Sequence, residues 1–123
     1  MLALSDATVA LREWRSSDAP ALAAVFELSE PDARRFIAKA HRHRCAGTAV
    51  ALAITRPGED VPVGNVDLAR FSDDGMSAVL ACRVVPGARD EGLATAAADL
   101  VRRWGIAELG LEEIEVLGAP DGR

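Results

Sequence analysis

The chain has 123 residues, half of them hydrophobic, and its 19 acidic against 14 basic side chains leave a net charge of −5 at neutral pH. That length supports one hydrophobic core and not two, so residues 1–123 are read as a single domain. No apolar run reaches membrane-spanning length and no signal peptide opens the chain, so a cytoplasmic protein without membrane contact is expected; one lysine, Lys39, in an acidic chain also argues against nucleic acid as partner.

Residues 8–14 alternate Val9 and Leu11 with polar neighbours, the pattern of a half-buried strand. Asp18 is placed to cap a helix with Pro20 in its first turn and Leu22, Val25 and Phe26 inside. Ser29-Glu30-Pro31-Asp32 opens a second helix with an inner stripe of Phe36, Ile37 and Ala40, which stops before Gly47. Residues 48–55 and 61–71 read as strands joined through Arg56-Pro57-Gly58-Glu59-Asp60, and Ser72-Asp73-Asp74-Gly75 turns into a strand over residues 76–85. Three consecutive strands with short turns make an antiparallel meander. A helix starting between Glu91 and Leu93, with Leu93, Ala97, Leu100, Val101, Trp104 and Ala107 at helical spacing, leads to a last strand over residues 113–117. Such a crossover makes that strand parallel to the one before it, giving an α+β fold on a mixed sheet.

The junction Val84-Val85-Pro86-Gly87-Ala88-Arg89-Asp90-Glu91-Gly92-Leu93-Ala94-Thr95 joins an apolar strand to a helix through a glycine-bearing turn. The first amides of a helix have no partner within it and the macrodipole favours an anion there, so such a junction can hold phosphate through backbone. As a pattern it is Arg89-x-x-Gly92-x-Ala94, which resembles the pyrophosphate loop of the GNAT acetyltransferase superfamily. The resemblance extends to Thr8-Val9-Ala10-Leu11-Arg12-Glu13-Trp14, to Ser17-Asp18-Ala19-Pro20-Ala21-Leu22, and to Trp104-Gly105-Ile106-Ala107-Glu108-Leu109-Gly110-Leu111 with Ile114-Glu115-Val116. It covers residues 8–118 and is most similar to the type that acetylates ribosomal-protein N-termini (RimJ/RimL-like).

The resemblance implies an acetyl-CoA-dependent N-acetyltransferase acting on a small amine or a peptide N-terminus by direct transfer. It implies that the last two strands splay to admit pantetheine, with Val84 and Val85 pairing through backbone and the amides of Arg89, Asp90, Glu91, Gly92, Leu93, Ala94 and Thr95 surrounding the pyrophosphate. Gly92 is expected to keep a side chain out of the phosphate's path and Ala94 to keep the helix start close. Two departures lie inside the loop: Asp90 and Glu91 stand where the family usually has glycine and a basic residue, and exposed carboxylates oppose an anion. Without the family, Gly87 and Gly92 simply shape a strand-to-helix turn.

Acetyl transfer from a thioester needs a neutral amine and often an acid for the departing thiolate. Many GNAT enzymes use a tyrosine, but this chain has none, and a glutamate often found in the strand before the loop is replaced by Val79. Asn65, Asp67, Glu13 and Cys82 remain, and Asp67 is selected as the base because it shares a strand face with Asn65; a solvated strand face is the plainer explanation of that pair. A non-catalytic CoA-binding or protein-interaction module is the competing class. His41-Arg42-His43-Arg44-Cys45 suggests zinc, but His43 points away from His41 and Cys45 on a helix and the arginines repel a cation, so no metal is assigned. Cys45 and Cys82 are read as thiols, not as a disulfide. The family's C-terminal strand pair has no counterpart after residue 118, so an exposed edge at residues 113–117 and a homodimer are expected.

Overall fold

A computed structural model of the chain describes residues 2–117. Its six strands, β1 (Ala3–Ser5), β2 (Ala10–Glu13), β3 (Val50–Thr55), β4 (Gly64–Ala69), β5 (Ser77–Val84) and β6 (Glu113–Val116), form one sheet in sequential order. Every neighbouring pair is antiparallel except β5 and β6, which run parallel because α3 (Leu93–Leu109) crosses between them. The meander and parallel last strand are therefore as expected, while β1 is an addition. Asp6 makes its hairpin by accepting from the amides of Thr8 at 2.7 Å and Val9 at 2.9 Å.

The sheet separates two cores. On one face Leu11, Leu52, Ile54, Val66, Leu68 and Leu80 pack with α3, whose buried side is Leu93, Ala94, Ala97, Ala98, Val101 and Gly105. That stripe is rotated from the expected one: Leu100 and Trp104 are half-buried and Ala107 is exposed. Small alanines let the helix approach the sheet closely, and at Gly105 an added Cβ would lie 3.0 Å from Leu111.

On the other face, α1 (Ala19–Phe26) and α2 (Glu30–Ala46) cover Trp14 and Ala53 with Ala19, Leu22, Ala33 and Ile37. The rings of Phe26 and Phe36 meet at 5.2 Å, so both are half-buried seam residues between these helices. Ser29 caps α2 as expected by accepting from the Asp32 amide at 3.2 Å. Asp18 does not cap α1 through its side chain. It closes the preceding 3₁₀ turn through the Arg15 amide at 2.8 Å and accepts two bonds from Arg12 at 2.7 and 3.0 Å. Arg12 reaches it from β2, and a buried carboxylate with a guanidinium that close is worth more paired than as a helix cap.

Candidate functional site at the β5–α3 junction

The β5–β6 ladder runs from Ser77↔Glu113 to Leu80↔Val116, and the Leu117 amide adds a bond to the Leu80 carbonyl at 2.9 Å. Among the described residues β6 pairs with β5 no further than Leu80, whereas β5 continues to Val84; the expected wedge is the β6 side of that remaining stretch. The Val85 amide bonds Val63 at 2.9 Å on the β4 side, which turns the backbone polar groups of Val84 the other way, toward the wedge. There the Val84 carbonyl accepts from Arg89 Nε at 3.2 Å. The valine side chains contribute packing: Val84 is buried and Val85 half-buried.

From the wedge the chain enters a 3₁₀ turn, Pro86–Glu91, then Gly92, then α3. Proline starts the turn without an amide to satisfy, and Gly92, at φ 74°, reverses the backbone into the helix; the Gly92 carbonyl takes the first helical bond, from Ala96 at 3.1 Å. The amides ahead of that bond stand at the positive end of a 17-residue helix, a setting that attracts an anion. A Cβ on Gly92 would meet nothing within 4 Å. Within the fold its requirement is thus conformational. Leu93 and Ala94 point into the core, whereas Asp90 and Thr95 are exposed.

Glu91 is not the unopposed charge that the sequence suggests. Arg56, at the start of the β3–β4 turn, donates to both its carboxylate oxygens, Nε to Oε1 at 2.7 Å and Nη2 to Oε2 at 2.8 Å. The Arg56 bond holds the Glu91 carboxyl below the usual carboxylate range, and Glu91 in turn raises the guanidinium. No local spacing signals Arg56: it lies 35 residues from Glu91, in a segment whose proline and glycine explain it fully as a turn.

Asp67 and Asn65 do share a face, but not a solvated one. Asn65 is buried, accepts from Trp14 Nε1 at 2.9 Å and donates to Asp67 Oδ2 at 3.1 Å. Burial raises the Asp67 carboxyl above its ordinary range, with the Asn65 bond and the charge of Arg70 offsetting part of that rise. Asp67 opens into a cleft of about 230 Å³ beneath α2, among Phe36, Lys39, Ala40, His43 and Ala51. It stands opposite Ala81 of β5, so one strand lies between it and the wedge.

The other named groups have local partners. Cys82 faces α3, its Sγ 3.8 Å from the Ala94 carbonyl, on the sheet face opposite to Asp67. Glu13 accepts from the Leu2 amide at 2.8 Å. His41 Nε2 meets the Trp14 carbonyl at 2.7 Å and His43 Nδ1 meets Thr48 Oγ1 at 2.8 Å. Among the described residues no three His, Cys, Asp or Glu side chains come together as a metal site, and no helix is long and apolar enough to cross a membrane.

The fold recurs in known proteins. No curated protein matches the chain by sequence. A protein of Vibrio cholerae assigned as a ribosomal-protein-serine acetyltransferase superposes with a TM-score of 0.85 at 16% identity, over 97% of this chain and 75% of its own. The ribosomal-protein-S5-alanine acetyltransferase of Vibrio fischeri gives 0.83 at 12% identity, over 94% and 73%. Mycobacterium smegmatis RimJ, solved with CoA-disulfide, gives 0.78 at 19% identity, over 88% and 61%. At these identities the likeness is one of fold. The sequence model of the acetyltransferase (GNAT) domain matches residues 8–121, and the chain belongs to the GNAT acetyltransferase family.

Proposed function

We propose that residues 1–123 act as one cytoplasmic domain that transfers the acetyl group of acetyl-CoA directly to a small amine or a peptide N-terminus. The observation that carries this reading is that β5 extends past its pairing with the described residues of β6 and leads through a 3₁₀ turn and Gly92 into a helix N-terminus. The fit to the co-substrate is physical: an extended amide-bearing arm can lie beside Val84 and Val85 and pair with the backbone of Val84, since the Val85 amide and carbonyl already bond Val63 and Ala88, and a diphosphate can rest on the amides from Arg89 to Thr95. Arg89, by holding the Val84 carbonyl, fixes the angle between strand and loop.

Acetyl-CoA supplies a thioester carbonyl, and the chain supplies position and a proton acceptor. Asp67, with its carboxyl raised by burial, is poised to accept the proton of an ammonium group, and Asn65 holds its orientation. Since β5 stands between Asp67 and the wedge, a water carries the proton between amine and carboxylate. With no tyrosine in the chain, the thiolate leaves without that acid, as its own low basicity permits. The absence of tyrosine and the presence of Val79 favour a second reading, a CoA-binding module without turnover. Initial rates with acetyl-CoA and a panel of amines and N-terminal peptides separate the two: transfer that rises with pH as the amine deprotonates supports the enzyme, and binding without transfer across the panel supports the module.

A further inference from the structure

The Arg56–Glu91 pair joins two loops that are otherwise distant in sequence, and one of them is the proposed phosphate loop. Both side chains are about one-third exposed, 32% and 39%, so the pair is a weak stabiliser of the fold. Its geometry is nevertheless bidentate, and Arg56 has a second acidic neighbour, Glu59, at 3.7 Å. Glu91 is the last residue of the 3₁₀ turn, adjacent to Gly92 and to the amides on which a diphosphate would rest. A bare carboxylate there repels that anion; a carboxylate held by a guanidinium presents no net charge.

We infer that Arg56 is a positioning residue that sets affinity for the phosphates of CoA by neutralising Glu91 and holding its carboxylate toward the β3–β4 turn. The inference rests on the cofactor reading given above. It accounts for one of the loop's two carboxylates, Glu91, while Asp90 stays exposed beside it. Arg56 acts through Glu91 and not by touching phosphate, and this makes its effect conditional: once Glu91 is neutral, Arg56 has nothing left to shield.

The test is calorimetric titration of CoA into the full chain and into Arg56→Ala, Glu91→Gln and the double variant at low salt. Arg56→Ala should raise the Kd by about tenfold or more, whereas in the Glu91→Gln background the same change should alter it by less than about twofold. The tenfold loss should shrink as salt is raised to about 0.3 M, because exposed charges are screened. Arg56→Lys, which keeps the charge but not the two-pronged geometry, should fall between the parent and Arg56→Ala, and keeps the test available if the alanine variant does not fold. An Arg56→Ala or Arg56→Lys variant that binds as tightly as the parent overturns the inference. So does an equal loss with and without Glu91, which would put Arg56 directly on the phosphate. If the parent chain itself binds no CoA at about millimolar concentration, the cofactor reading fails and the inference with it; if the parent binds and only the coupling is absent, the reading stands and the inference alone falls.

Discussion

Trp14 donates from its indole Nε1 to the Oδ1 of Asn65 at 2.9 Å, although their strands are separated by β3. Ala53, paired with both Arg12 and Asn65, is small enough to let the indole cross above it. Both partners are almost fully buried, at 1% exposure each, so the bond cannot be replaced by water.

Asn65→Leu therefore leaves the Trp14 N–H without a partner in the core and should cost about 1–3 kcal/mol in urea unfolding. It also releases Asp67, so transfer activity should fall more than stability alone accounts for. Loss of stability without loss of activity in the folded fraction would remove Asn65 from the positioning of Asp67.

Asp67→Asn separates stability from function. The folded Asp67 carboxyl is raised, so the native state binds its proton more readily than the unfolded chain does, and keeping that group charged costs stability above its folded pKa. The variant should be as stable as the parent or more so at pH 7, and should lose that advantage below about pH 4, where the carboxyl is protonated in both states. If Asp67 is the base, kcat should fall by about 10²-fold or more over the same neutral range. Unchanged transfer would retain the enzyme and discard this residue.

Asp18 has the opposite sign. Burial raises its carboxyl, but the bonds from Arg12 and the Arg15 amide outweigh burial and leave it below the usual range. Its stabilisation is present above the unfolded value of about 4 and disappears as pH falls through the lower folded value. Asp18→Asn should cost about 2–3 kcal/mol at pH 7, and the difference from the parent should narrow in acid; a pH-independent difference would attribute the loss to packing.

Two glycines should respond differently to alanine. At Gly92 there is open space and only the left-handed backbone is strained, so Gly92→Ala should cost about 1 kcal/mol. At Gly64 the added Cβ would lie 2.5 Å from the Arg83 carbonyl, so β4 and β5 must separate and the cost should exceed that at Gly92 by about 1–3 kcal/mol. Thermal unfolding of the two variants checks the order.

The long elements were legible because each carried its own period or punctuation: Ser29 and Gly47 bound α2, and Pro86 and Gly92 bracket the loop. The meander followed from short turns, and the parallel last strand from the crossover helix. What escaped had no local signature. β1 is three residues long, too short for alternation to show, and it exists because it pairs with β2. The inner stripe of α3 was misplaced because Leu100 and Trp104 outrank Ala94 and Ala98 in hydrophobicity, whereas close approach to the sheet selects the small side chains. In the site, the order of strand, glycine turn and helix was readable, but the partners of its charges were not. Asp18 finds Arg12, Asn65 finds Trp14 and Glu91 finds Arg56 only when the sheet assembles.

The assignment of the β5–α3 junction as the acetyl-CoA site is tested most directly by calorimetric titration of acetyl-CoA into the full chain, with Gly92→Asp alongside. Saturable one-to-one binding with a micromolar Kd of order 1–100 µM, weakened about tenfold or more by an added carboxylate at Gly92, is the expected result. No heat of binding at about millimolar acetyl-CoA, or binding indifferent to Gly92→Asp, is incompatible with the assignment.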